Sequence, residues 1–221
     1  MERLKNNVKF AGHISLGVIF AGAISLMSLN EPRAGGEEKA EHNFIGAKKC
    51  KMCHVKEKDG AQYKIWSKTA HARAFDTLGS DKAKATAKEL GIEDPQASGK
   101  CLKCHSTAYF FTEELVENID TKKDGTPRLA VAEGVSCESC HNAGSGYKKK
   151  KTMKDRDLSI AGGLNPEPEK RCVKCHNDEN PNWDPKKYTL EDGTTAGFDF
   201  DQAWDKIKHY RPKKDSAAAG K

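Results

Sequence analysis

Leucine, valine, isoleucine and phenylalanine are scarce in this chain. Residues 36–221 contain 8 Leu, 5 Val, 6 Ile and 6 Phe, 25 of 186 positions or about 13%. Below about 20%, a chain does not bury enough apolar surface to offset its ordering entropy. That argues against an ordinary enzyme built around a large aliphatic core. It leaves either extensive disorder or a core supplied by something other than amino acids. A strong charge of one sign is missing as well. The 38 basic and 32 acidic residues give a net charge of +6 with the signs mixed along the chain, and no nucleic-acid reading motif accompanies them, so no nucleic-acid partner is expected.

Long hydrophobic runs are confined to the N-terminus. Arg3, Lys5 and Lys9 precede an apolar run from Phe10 to Leu29, the order of a positive n-region and an h-region. The run also has the length of a bilayer span, although Ser15, Ser25, Ser28 and His13 weaken it. No clean small-residue cleavage site follows; Glu31-Pro32-Arg33-Ala34 is a poor match. Residues 1–35 therefore read as a signal peptide or an uncleaved anchor plus linker. Either way the remainder of the chain is exported, with membrane association possible through residues 10–29.

The eight cysteines fall into four pairs, each followed by histidine: Cys50-Lys51-Met52-Cys53-His54, Cys101-Leu102-Lys103-Cys104-His105, Cys137-Glu138-Ser139-Cys140-His141 and Cys172-Val173-Lys174-Cys175-His176. C-x-x-C-H is the attachment signal for c-type haem. The two thiols form thioethers to the haem vinyl groups, and His54, His105, His141 and His176 become the proximal iron ligands. Disulfides suit an exported chain, but they do not require a histidine after every pair. Zinc can use Cys and His together. With 8 His in 221 residues, four such placements by chance have odds on the order of a few in a million. Four covalent haems c are expected. Each macrocycle hides on the order of 400 Å² of apolar surface, roughly 10 kcal/mol at 25 cal/mol/Å², so the haems become the core and lie close together.

Distal ligands are in short supply. Outside the motifs and the leader, the histidines are His42, His71 and His209. His71 lies in a helix-compatible stretch with Tyr63, Trp66 and Ala70 on one face. His209 ends an amphipathic run in which Phe200, Trp204 and Ile207 mark an inward face before Pro212. Both read better as ligands than as core or surface residues. Met153 is either a gap-filling side chain or the ligand of a His/Met haem of raised potential. His42, in a polar lead-in, is the weakest candidate, and Met52 sits inside a motif loop.

The layout resembles the tetrahaem cytochrome c-554 family over most of residues 44–210. The resemblance is carried by Gly46-Ala47-Lys48-Lys49-Cys50, Thr69-Ala70-His71-Ala72, Gly134-Val135-Ser136-Cys137-Glu138-Ser139-Cys140-His141 and Lys208-His209-Tyr210. It implies that His71 is the distal ligand of the third haem and His209 that of the fourth. The second haem, at Cys101 and Cys104, is left without a strong distal ligand. One departure stands out. The family has a histidine about ten residues beyond the third motif that caps the first haem. Here that position falls in the lysine run 148–151, and Met153 is the nearest chemical substitute.

The expected fold is mainly α with extensive loop: one small multihaem cytochrome domain over residues 36–212, with four closely packed haems as its core and a disordered tail at 213–221. Helices are expected near 60–78, 81–90, 153–161 and 200–208, a short extended excursion with a turn at Lys123-Asp124-Gly125 within 106–136, and loop over 178–198. Residues 36–221 carry 34 basic and 30 acidic residues, +4, against about −8 from haem propionates, so Lys148–Lys151 serve to balance propionates. The leading function is electron transfer between redox proteins in the periplasm. The alternatives are an enzyme acting on a small nitrogen or oxygen species at an open second haem, and a subunit of an extracellular haem filament.

Intact mass measurement of the exported protein is expected to give the polypeptide plus four haems. Replacing both cysteines of any one motif by serine removes one haem from that mass; an unchanged mass contradicts the assignment.

Overall fold

The computed structural model describes residues 42–209. The leader, the linker before residue 42 and the C-terminal tail lie outside the described residues. Ten short helices lie along the described chain: α1 (Ala47–His54), α2 (Gln62–Trp66), α3 (Ala74–Leu78), α4 (Asp81–Glu89), α5 (Gly99–His105), α6 (Cys137–His141), α7 (Lys150–Met153), α8 (Arg156–Ala161), α9 (Glu169–Cys172) and α10 (Phe200–Ile207). Five 3₁₀ turns and two antiparallel two-residue strands, β1 (Tyr188–Thr189) and β2 (Thr195–Ala196), complete the regular structure of the described residues. Among the described residues no helix is long and apolar enough to cross a membrane.

The mainly helical, loop-rich character agrees with the sequence, and the boundaries show what local chemistry does. The stretch expected as one helix over 60–78 breaks after Trp66. Ser67 Oγ donates to the Lys64 carbonyl at 3.0 Å and Thr69 Oγ1 to the Trp66 carbonyl at 2.8 Å; such hydroxyls compete with the helical ladder. A 3₁₀ turn at His71–Arg73 follows before α3. The expected helix at 153–161 is likewise two helices, because Asp155 caps α8 by accepting from Leu158 N at 3.0 Å. The loop expected over 178–198 contains the β1–β2 hairpin. Its turn uses Asp192 and Gly193, the glycine at φ +80°, with Leu190 N donating to Thr194 O at 2.9 Å. The Lys123-Asp124-Gly125 turn is present, with Lys122 N donating to Thr126 O at 2.8 Å.

The protein core is small. Among the described residues the buried hydrophobic side chains larger than alanine are Phe44, Ile45, Leu78, Leu102, Leu129, Tyr147 and Tyr188. Phe44, Ala108, Leu129 and Ala143 form one cluster, flanked by Phe110, Val116, Ile119 and Val131. Seven such residues cannot close a fold of this length by hydrophobic burial alone. Polar clamps do much of the joining. Thr107, just past α5, takes the Ser136 N–H on its Oγ1 at 2.7 Å, and its own N–H donates to the Gly134 carbonyl at 2.9 Å. The second motif is thereby fastened to the entrance of the third.

Glu138 is the strongest clamp. It lies between the cysteines of the third motif, is 1% exposed, and accepts from Ile45 N, Gly46 N and Gly144 N at 2.7–3.1 Å. Burial pushes its carboxyl upward, and the three backbone donors oppose that. Gly46 sits at φ +74°, and a Cβ there would collide with the Arg128 carbonyl. The segment leading into the first motif is therefore seated directly on the third.

Glu138→Ala leaves three buried N–H donors unpaired and is expected to cost about 3 kcal/mol or more, with Glu138→Gln losing less. The guanidinium midpoint of the holoprotein, followed by circular dichroism, measures it. A change indistinguishable from a surface substitution contradicts the clamp.

Candidate functional site

A helical turn explains the spacing within each motif. Residues at i and i+3 share one helix face, and the residue at i+4 lies beside them, so Cys, Cys and His of a C-x-x-C-H turn project together. α1, α5 and α6 carry their motifs in this way. In the fourth motif α9 ends at Cys172, and the turn is continued by Cys175 N and His176 N, which both donate to Cys172 O at 3.2 and 2.9 Å.

The four turns meet in a definite order. The sulfurs of Cys50 and Cys137 lie close enough to interact, bringing the first motif beside the third, and those of Cys104 and Cys175 bring the second beside the fourth. Cys140 and Cys172 are close enough to interact electrostatically, linking third and fourth. In space the motifs run first, third, fourth, second.

Two histidine pairs lie along the same path. The ring centroids of His71 and His176 are 6.0 Å apart, and those of His141 and His209 are 6.1 Å apart. A metal–imidazole nitrogen bond of about 2.0–2.1 Å places two imidazoles on opposite sides of one metal roughly 6 Å apart between centroids. Both pairs therefore fit one iron between them. Their arrangement reverses the resemblance-based assignment: His71 faces the histidine of the fourth motif and His209 that of the third. The physical reason lies in what holds each segment. The His71 carbonyl accepts from Val135 N at 3.0 Å, which anchors its backbone beside the third motif while its ring meets the fourth. α10 starts from the Asp199 cap, whose side chain accepts from Gln202 N at 2.9 Å, and delivers His209 to His141.

The tautomers fit iron binding. His105 Nδ1 lies 2.7 Å from the Ala74 carbonyl, His54 Nδ1 3.1 Å from Gln62 Oε1 and His209 Nδ1 3.2 Å from the Ile207 carbonyl. Each partner is an oxygen of a C=O group, so Nδ1 carries the proton and Nε2 keeps its lone pair for a metal. Burial lowers His71, and it pushes both His141 and His176 down to about 4, helped by His209 and His54 for the former and by His71 and Lys187 for the latter. All three rings are neutral at pH 7, as ligation requires. His176 is further oriented by Phe198, stacked at 5.1 Å and 18°. Tyr188 of β1 lies against Phe198 at 6.3 Å, so the hairpin missing from the sequence reading supports a ligand.

The weaker candidates are placed differently. Met153 ends α7, half-buried. The His42 ring packs against Gly146 and Gly163, where a Cβ would strike it. Neither belongs to the two imidazole pairs. Among the described residues no group of three or more His, Cys, Asp or Glu side chains forms a metal-binding cluster, whereas structural zinc takes four such ligands. Sequence reasoning missed Gln62 and the Ala74 carbonyl, which orient the motif histidines His54 and His105, and Glu138; a buried carboxylate inside a motif has no sequence signature.

Helical C-x-x-C-H turns with oriented, neutral histidines define a c-type cytochrome, a protein carrying covalent haem c. Residues 49–142, which take in the first three motifs, match the family model described as cytochrome c554 and c-prime. Cytochrome c-554 of Nitrosomonas europaea is 28% identical over 222 residues, covering 90% of this chain and 86% of that protein. Across its first three motifs, and more weakly along most of its length, the chain is similar to the cytochrome c-554 family. No solved structure matches it significantly.

His71→Ala and His209→Ala are each expected to convert one low-spin ferric signal to high spin in the electron paramagnetic resonance spectrum of the oxidised protein. An unchanged low-spin spectrum in either variant contradicts that pairing.

Proposed function

We propose that this chain is a periplasmic tetrahaem electron carrier, passing electrons between redox proteins along the motif order first, third, fourth, second. The observation that carries this reading is the pair of histidine couples, His71 with His176 and His141 with His209, each spaced for one iron and each built on a C-x-x-C-H turn. Each haem, when bound, takes up and releases one electron at its iron, at a potential tuned by its axial ligands. The protein's contribution is positional. His71 with His176, and His209 with His141, would hold the two central irons. His54 and His105, each locked through Nδ1 to a carbonyl-type oxygen, would hold the outer two.

Met153 is proposed as the distal ligand of the first haem, replacing the histidine that the family carries beyond the third motif. α7 holds it half-buried, and the Ser159 hydroxyl, donating to the Thr152 carbonyl at 2.8 Å, fixes α7 against α8. A thioether in that position separates the potential of the first haem from its bis-histidine neighbours. Export to the periplasm through residues 1–35 belongs to the same reading.

Potentiometric titration of the purified holoprotein, followed in the visible haem bands, is expected to take up four electrons reversibly. Fewer than four, or irreversible reduction, contradicts the carrier. In the same titration Met153→Ala moves one wave to lower potential and leaves the other three; four unmoved waves reject Met153 as ligand.

A further inference from the structure

The residues between the two cysteines of each motif meet different surroundings. Leu102 of the second motif is 1% exposed, and Glu138 of the third is 1% exposed. Met52 of the first is 69% exposed and Val173 of the fourth 52%. The flank of Val173 is already paired: Lys170 meets Glu167 at 2.8 Å, and Arg171 lies over the rings of Phe110 and Phe111. The flank of Met52 is more open: Lys51 lies over the Tyr63 ring at 5.3 Å, and Lys48 is within electrostatic reach of Glu133. Lys48, Lys51, Lys56 and Lys58 are exposed, and none of them is in an ion pair among the described residues. The nearby acid Glu57 is taken by Lys64 at 2.8 Å. A shallow cavity of about 450 Å³ beside Glu57 and Gly60, lined by Lys64, Lys68 and Lys206, extends the positive surface.

Helix geometry places this patch on the outside. At 3.6 residues per turn Met52 lies about 160° from Cys50, opposite the arc that carries Cys50, Cys53 and His54 toward a haem. Lys48 stands one turn before Met52 on the same outer face. Propionates project from the macrocycle edge remote from the thioethers, so lysines behind the thioether helix are not placed to neutralise them. The first motif is also one end of the spatial order of motifs, where an electron must enter or leave.

We propose that the outer face of α1, centred on Met52 and rimmed by Lys48, Lys51, Lys56 and Lys58, docks a redox protein through an acidic surface. The proposal rests on the electron-carrier reading and names the port it uses. Charge complementarity selects the partner and speeds encounter. The exposed thioether supplies a small apolar centre that a lysine rim alone lacks. Screening by salt weakens the attraction between rim and partner.

The probe is a plant-type [2Fe–2S] ferredoxin, a small acidic redox protein. Calorimetry with both proteins oxidised reads docking without electron flow, and stopped-flow mixing with reduced ferredoxin reads transfer. Lys48→Glu, Lys51→Glu and Lys56→Glu together are expected to weaken low-salt binding and slow transfer at least about tenfold, and to abolish the salt dependence. Milder replacement of the same three lysines by glutamine gives a smaller loss and serves if the first variant matures poorly. Met52→Ser weakens binding at high salt as well. The control, Lys82, Lys84 and Lys88 on the exposed face of α4 all changed to glutamate, leaves both readouts near wild type. Equal losses in the two triple variants, no loss in the first, or no binding by wild type overturns the proposal. Reversible reduction by dithionite is checked in each protein; its failure in wild type counts against the carrier reading instead of the docking face.

Discussion

The buried carboxylate of Glu138 in the third motif answers the constraint on which the rest of this structure depends: motifs distant in sequence must be held side by side by a chain with little aliphatic core. Polar groups do that work. A carboxylate 1% exposed holds three backbone donors around the entrance to the first motif, and Thr107 does the same between the second and third. These bonds are directional, so they fix separation and orientation where apolar packing would tolerate slip. In the proposed holoprotein the haems then fill the spaces that the clamps define. The scarcity of leucine, valine, isoleucine and phenylalanine follows from that division of labour.

The same division explains the ligand geometry. Each central histidine pair joins segments with no backbone hydrogen-bond ladder between them: the turn at His71 with the end of α9, and the end of α10 with α6. Their spacing is set at a distance, by Val135 on the His71 carbonyl, by the Asp199 cap of α10 and by Phe198 against His176. Burial keeps the rings neutral. A lone pair is therefore available without competition from a proton, which suits iron ligation at neutral pH.

Much of the site was legible in the sequence because its chemistry is local. The C-x-x-C-H turns announce themselves, and His71 and His209 stand out in a chain short of histidine. The Asp124-Gly125 turn and α4 follow from short-range preferences. What was not legible depends on tertiary contact. Which histidine faces which motif is decided by the Val135 bond and the course of α10, and the resemblance gave the reverse pairing. The break after Trp66 is written in Ser67 and Thr69, whose hydroxyl bonding outweighed the helical pattern of apolar residues. The hairpin around Asp192-Gly193 carries the same Asp-Gly signal that was read at residues 124–125, but its strands are only two residues long. Nothing in the order of residues reveals that Glu138 points inward to the backbone of Ile45 and Gly46.

The surface divides in the same manner. Of lysines 148–151, Lys148 pairs with Asp120 at 3.2 Å, whereas Lys48, Lys51, Lys56 and Lys58 behind the first motif are exposed and enter no ion pair among the described residues. In the proposed holoprotein four haems occupy the interior in the order first, third, fourth, second, with irons between His71 and His176 and between His141 and His209. Anomalous diffraction from crystals of the holoprotein at the iron absorption edge tests it most directly. The account predicts four iron peaks, two of them centred between those imidazole pairs and the outer two beside His54 and His105. Fewer than four peaks, or no iron between either pair, contradicts it.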